Sequence, residues 1–209
     1  MQLDMSLSNR GAHGIASRGA DAVRFFMAWL RNPRGIAAIA PSGRALAALI
    51  TKHVDRSTGP ILELGAGTGT FTQALIARGV PEADLTLVET DAHFSQLLRK
   101  RFDRATVIDV DAAHLSKLTP AYPHRYGAVI CGLGLLNMPT DKVEAIMKGA
   151  FLRMRPEAAF HLFTYGRRCS VPLSILTRLG LEAHRVGKAY RNVPPASVYR
   201  IVRRTPTER

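Results

Sequence analysis

Glu63-Leu64-Gly65-Ala66-Gly67-Thr68-Gly69 decides how this chain is read. The segment closes a short apolar run, Pro60 to Leu64, that reads as a buried strand. It precedes Thr70 to Arg78, whose apolar residues keep helical spacing. A strand that turns through glycines into a helix is the opening unit of a doubly wound α/β sheet, where ligands sit beyond the carboxyl ends of the strands. The glycines belong there because side chains would bar positive φ and hold the backbone away from a ligand. A dinucleotide loop requires Gly-x-Gly-x-x-Gly, but the residue three after Gly67 is Thr70. Glu63 also sets a carboxylate beside the place a pyrophosphate would occupy. Both features turn the reading away from a dinucleotide.

Strands and helices alternate from this point, the pattern of a parallel sheet with crossover helices. Expected strands are Pro60 to Leu64, Asp84 to Glu89, Thr106 to Asp109, Gly127 to Cys131 and Ala158 to Tyr165, with closing strands at Glu182 to Ala189 and Ser197 to Arg203. Expected helices between them are Thr70 to Arg78, His93 to Arg104, Ala112 to Leu118, Asp141 to Arg153 and Pro172 to Leu179. Ahead of the first strand, Ser42 is expected to cap a helix from Arg44 to Lys52. The expected fold class is α/β, a Rossmann-like seven-stranded sandwich preceded by an N-terminal helical extension. The boundary is expected near residue 52, with residues 53–209 forming the main domain.

Two further strand ends carry acids. Val88-Glu89-Thr90-Asp91 places Glu89 where a carboxylate accepts from both hydroxyls of a ribose. Asp109-Val110-Asp111-Ala112 places Asp111 to accept from an adenine amine, with the Ala112 N–H donating to the ring. With Glu63, these acids favour a cationic nucleoside bearing an amino group. S-adenosylmethionine, with its sulfonium and ammonium, is the expected cofactor, held by Glu63, Gly65, Ala66, Gly67, Gly69, Glu89, Thr90, Asp111, Ala112, Cys131 and Ser42.

Glu63 to Thr72, Glu89 and Asp111-Ala112 resemble the cofactor motifs of class I methyltransferases. Phe25-Phe26 through Trp29-Leu30-Arg31-Asn32-Pro33, Ala40-Pro41-Ser42-Gly43-Arg44-Ala45-Leu46, Cys131 to Pro139, Phe163-Thr164-Tyr165-Gly166 and Asn192 to Arg200 resemble the bacterial phospholipid N-methyltransferases. The resemblance spans nearly the whole chain and implies stepwise methylation of phosphatidylethanolamine to phosphatidylcholine. Gly134 stands where that family has Pro, Cys131 where it has Ser, and Arg167 where it again has Pro. By analogy with amino-methylating relatives, the backbone carbonyls of Cys131, Gly132 and Leu133 are expected to aim the acceptor lone pair, and Tyr165 to orient the amine or stack on the methylated cation. Asn137, Arg167, Arg168, Lys188 and Arg191 are candidates for the substrate headgroup, whose phosphate needs cations.

The formal net charge is +13. Residues 1–56 hold eight Arg/Lys against three acids, and residues 151–209 hold twelve against three. Both basic ends predict an anionic partner. Val23, Phe26, Met27 and Leu30 fall at helical spacing, with Phe25 and Trp29 widening the apolar arc and Arg24 and Arg31 opposite, so this segment is expected to lie on an anionic membrane surface. The expected location is the inner face of the cytoplasmic membrane, held peripherally, as a monomer. No 18-residue apolar stretch exists, so the chain is expected to lie on a membrane rather than cross it.

Cys131 and Cys169 lack metal-ligand spacing, so no metal is expected. Cys131 has no cue for an activating partner, and His161, mid-strand, reads as a packed residue. Two competing readings remain, a nucleic acid adenine methyltransferase and a membrane-bound protein that keeps the fold without catalysis. Against the first, rRNA adenine dimethylases carry Asn-Leu-Pro-aromatic on the fourth strand, and here the fourth position is Gly134. No nucleic acid partner is therefore expected.

Overall fold

The computed structural model describes residues 41–118, 125–165, 168–190 and 195–205. Seven strands form one sheet: β1 (Ile61–Leu64), β2 (Leu85–Glu89), β3 (Thr106–Asp109), β4 (Tyr126–Cys131), β5 (Met154–Thr164), β6 (Leu181–Ala189) and β7 (Ala196–Arg203). Their order is β3-β2-β1-β4-β5-β7-β6. All neighbours are parallel except β7, which runs antiparallel between β5 and β6. The order reverses at β1 and β4, so their carboxyl ends part to leave a crevice.

Helices cover both faces. On one lie α1 (Pro41–Ile50), α2 (Thr70–Ala77) and α3 (Ala92–Arg101); on the other lie α4 (Thr140–Arg153) and α5 (Leu173–Arg178). The first core joins Leu46, Ile50, Leu75 and Leu98 to Ile61, Leu87 and Ile130 of the sheet. The second joins Ile146, Met147 and Ile175 to Leu62, Val129 and Phe160. All four residues of β1 are buried, as a central strand covered on both sides requires. Each fully buried Leu or Ile contributes about 1.5–3 kcal/mol.

The sheet matches the expected strands, and three local differences have physical causes. The first helix begins at Pro41, so Ser42 lies within its first turn rather than before it. The helix buries Leu46, Ala47 and Ile50 in the first core, so the stretch ending near residue 52 closes in a helix packed on the sheet. Strand β5 begins at Met154, directly after α4, because Met154 pairs with Tyr126 before the register resumes at Ala159. The crossover Ala112–Lys117 is a 3-10 helix, pressed against α4 where Gly149 lets Leu115 approach. The expected helix at Ala20 to Leu30, with Arg24, Phe25, Trp29 and Arg31, lies outside the described residues, as do Arg167 and Arg191. Among the described residues no helix is long and apolar enough to cross a membrane.

Candidate active site

The turn after β1 is held from both sides. Gly65 and Ala66 donate to the Val88 carbonyl at 2.8 and 3.3 Å. Gly65, Gly67 and Gly69 have φ of 69°, 53° and 79°, the left-handed region that glycine enters without strain. A side chain at Gly65 would strike Leu133, and one at Gly69 would strike the Phe102 ring. The Arg101 guanidinium donates to the Thr68 carbonyl at 2.6 Å, tying the end of α3 to the same turn.

Glu89, at the end of β2, is the hub. Its Oε2 accepts the Gly67 N–H at 2.8 Å, and its Oε1 accepts from Thr90 and Asp91 at 2.8 and 3.0 Å. Three backbone donors fix the carboxylate, two on Oε1 and one on Oε2, so the uncommitted lone pair lies on Oε2, able to accept from a ribose hydroxyl.

A cavity of about 480 Å³ opens over these groups. Gly65, Gly67, Glu89 and Thr90 form one end, and Asp111, Ala112 and Lys142 the other. Phe94, Val110 and Met138 supply apolar walls, and Gly132, Leu133 and Gly134 close the β4 side. The β1 and β4 loops touch, since a Cβ on Gly132 would stand 2.6 Å from the Gly65 carbonyl oxygen.

Asp111 precedes the 3-10 turn and caps it, with Oδ1 accepting the Ala113 N–H at 2.9 Å. Its Oδ2 takes the Lys142 ammonium at 2.6 Å. Burial raises the Asp111 carboxyl, but the Lys142 and Ala113 hydrogen bonds outweigh it and hold the group below the usual range. Asp111 is thus a helix cap and a cavity carboxylate at once.

Glu63 stands behind the glycine turn, off the cavity wall, fully buried. Its Oε2 accepts the Thr72 hydroxyl at 2.7 Å, and its Oε1 has no partner. Burial pushes its carboxyl up to about 8, against the Thr72 hydrogen bonds, with the nearby Glu89 adding to the rise. The electrostatic reading of the sequence therefore changes in kind. A cation brought near it would favour the ionised form.

The remaining sequence candidates separate. Ala66 and Gly69 shape the turn without lining the cavity. Cys131 is fully buried, and burial pushes its thiol up to about 12, so it is no nucleophile. The Leu133 carbonyl accepts the Leu135 N–H at 2.9 Å, which leaves one lone pair for another donor. Tyr165 lies just past β5, half-buried and edge-on to Phe163 at 5.6 Å, outside the cavity wall. Asn137 is exposed on the β4 loop. Arg168 borders a separate groove with Leu173 and Arg204. Lys188 sits near the end of β6 with its ammonium 5.1 Å from the Tyr190 ring centroid. Ser42 occupies the first turn of α1, and its side chain is outside the described residues. Among the described residues no cluster of His, Cys, Asp or Glu suits a metal ion.

Sequence reasoning missed Lys142, Phe94 and Thr72. A topological signal would have found them. Each is the third residue of a crossover helix, α4, α3 and α2 respectively, and the start of such a helix faces the carboxyl ends of the strands.

Residues 61–157 match the family described as "Methyltransferase domain", a stretch running from β1 into β5. An ornithine lipid N-methyltransferase of Singulisphaera acidiphila is 26% identical over 149 residues, 69% of this chain and 78% of that protein. A ribosomal RNA small subunit methyltransferase A of Anaeromyxobacter dehalogenans is 42% identical over 74 residues, 35% of this chain and 24% of that protein. Among solved structures, the glycopeptide N-methyltransferase MtfA complexed with S-adenosyl-L-methionine superposes with a TM-score of 0.60 at 16% identity, over 82% of this chain and 98% of that one. A 1,6-didemethyltoxoflavin-N1-methyltransferase of Burkholderia thailandensis, bound to S-adenosylhomocysteine, gives 0.58 at 14% identity, over 96% of this chain and 93% of that one.

The fold is therefore that of the class I methyltransferases. The domain match over residues 61–157, with this fold, supports S-adenosylmethionine-dependent methyl transfer as the activity, and the cavity is walled by the glycine turn and the carboxylates of Glu89 and Asp111.

Proposed function

We propose that this protein methylates the amine of a phospholipid, carrying phosphatidylethanolamine and its mono- and dimethyl derivatives toward phosphatidylcholine at the surface of the cytoplasmic membrane. The observation that carries this reading is the relative named for lipid N-methylation, aligned over 78% of its own length. The charge of +13 and the aromatic, basic segment around Arg24, Phe25, Trp29 and Arg31 support an anionic lipid surface as the place of work.

Bound S-adenosylmethionine supplies a methyl on a sulfonium, which the acceptor nitrogen displaces in line. The chain's part is to position and to desolvate. Glu89 holds the cofactor's ribose, and Asp111 with Ala112 holds its adenine. An ethanolamine ammonium resembles that of Lys, so its deprotonation at pH 7 costs roughly 4–5 kcal/mol. Desolvation against the apolar β4 loop reduces that cost. Carbonyls of Cys131, Gly132 and Leu133 orient the neutral amine. These residues would leave the amine neutral, with its lone pair facing the methyl that the bound group would supply. After the first and second transfers the new ammonium returns a proton to water, and the quaternary product of the third has none to lose. Arg167, Arg168, Lys188 and Arg191 are the cations offered to the lipid phosphate.

One observation favours a second reading, methylation of an RNA adenine, namely the 42% identity to an rRNA methyltransferase. It covers 35% of this chain, and the β4 loop presents Gly132, Leu133, Gly134 and Met138 to the cavity with no aromatic side chain to stack on a flipped base. Expression in a bacterium whose membrane contains phosphatidylethanolamine and no methylated derivative tests the proposal. Lipid extracts should then show species heavier by one to three methyl groups. An unchanged lipid profile, with active protein present, contradicts it.

A further inference from the structure

Lys142 breaks a local rule. It lies in the first turn of α4, where the helix dipole disfavours a cation. Its position is explained by what it meets across the cavity: Nζ stands 2.6 Å from Asp111 Oδ2, both side chains are about one-third exposed, and both line the same wall. Asp111 Oδ1 accepts the Ala113 N–H and Oδ2 the Lys142 ammonium, so each oxygen keeps one lone pair, the one on Oδ2 lying beside the cation. The ammonium has three donors and gives one to Asp111, so two remain for the cavity or for water.

From this we infer that Lys142 is a specificity residue for the cofactor's base, donating to a ring nitrogen beside the exocyclic amine while Asp111 Oδ2 accepts from that amine. An adenine edge presents a donor next to an acceptor. Asp111 Oδ2 and Lys142 Nζ present an acceptor next to a donor, 2.6 Å apart. A 6-oxo purine carries an acceptor where adenine carries the amine and would meet the Asp111 carboxylate unfavourably. The pair thus selects an aminopurine. The inference rests on assigning this cavity to S-adenosylmethionine, and the experiment separates the two.

Calorimetric titration with S-adenosylhomocysteine, and with its 1-deaza and 7-deaza analogues, is performed on the full chain and on the Lys142→Met variant, which keeps the apolar stem. On the unaltered chain one deaza analogue should bind about tenfold more weakly, the loss expected for a hydrogen bond from a charged donor. Lys142→Met should bind S-adenosylhomocysteine about tenfold more weakly and lose nothing further with that analogue, because donor and acceptor are then both gone. A Lys142→Arg chain should retain part of the discrimination. If Lys142→Met weakens all three ligands equally, Lys142 merely supports Asp111 and the inference is overturned. It is also overturned if Lys142→Met changes nothing. Failure of the cavity assignment looks different, since Glu89→Ala would then bind S-adenosylhomocysteine as well as the unaltered chain does.

Discussion

Glu89 Oε2 accepts the Gly67 N–H at 2.8 Å, so the acid at the end of β2 fastens the glycine turn at the end of β1. In the proposed function the same carboxylate accepts from the ribose, so one group would both shape the turn and bind the ligand. Glu89→Ala should weaken S-adenosylhomocysteine binding about 100-fold or more, since hydrogen bonds to a charged group are worth about 1.5–3 kcal/mol each. Sedimentation with anionic vesicles should be unchanged. Binding within threefold of the unaltered chain, measured calorimetrically, would place the ligand elsewhere.

The buried acid behind that turn makes a pH signature. Glu63 is raised from 4.5 to about 8 in the folded chain. The folded state holds the proton more tightly, so this contribution to stability is complete below 4.5 and is lost as pH rises toward 8. Glu63→Gln should flatten the alkaline fall in unfolding free energy, measured by urea denaturation between pH 5 and pH 9. A cationic cofactor favours the ionised acid, so its affinity should climb with pH more steeply in the unaltered chain than in Glu63→Gln. Identical slopes would remove Glu63 from cofactor electrostatics.

His161 produces the opposite limb. Burial, with Arg200 and His53 nearby, depresses its imidazole from 6.5 to about 4. Its contribution is present above 6.5 and is lost as pH falls through 4. Nδ1 has no partner, so the neutral ring is packed rather than networked. His161→Phe should shift acid unfolding to lower pH while leaving turnover at pH 8 within about twofold. Loss of turnover in a folded variant would give His161 a role in the reaction.

Cys131→Ala should keep most of the activity. A thiol pushed up to about 12 is not a nucleophile at neutral pH, and trimming one buried sulfur costs on the order of 1 kcal/mol. A stable variant with no methyl transfer would revive covalent catalysis. Gly132→Ala should fare worse, because its Cβ would meet the Gly65 carbonyl oxygen at 2.6 Å. We expect about 1–3 kcal/mol of destabilisation by urea titration and a matching loss of cofactor affinity.

Much of the fold could be read from the sequence because its signals are local. Every strand of the sheet lies within a few residues of an apolar run, and the three acids at strand ends follow from the glycine turn. What could not be read is pairwise. Asp111 and Lys142 lie 31 residues apart, and only the packing of α4 beside the 3-10 turn brings them together. The charge state of Glu63 was equally hidden, since an acid in a sequence carries no mark of how deeply it will be buried. Tyr165, expected to meet the amine from the end of the fifth strand, and Lys188, a headgroup candidate by chain order, lie beyond the cavity wall, toward the β5 and β6 ends.

The proposed membrane contact around Arg24 and Trp29 has its own test. Arg24→Ala with Trp29→Ala should abolish sedimentation with vesicles rich in anionic lipid and leave S-adenosylhomocysteine binding intact. Added salt should weaken the unaltered chain's binding, because exposed charges are screened within about 8 Å at physiological ionic strength. Undiminished sedimentation of the double variant would move the contact to another surface.

The most direct measurement supplies pure protein with methyl-labelled S-adenosylmethionine and, together, vesicles containing phosphatidylethanolamine and undermethylated ribosomal RNA, then separates lipid from RNA. The account predicts label in the lipid amine, with mono-, di- and trimethyl products in sequence. Label in RNA with none in lipid would contradict it.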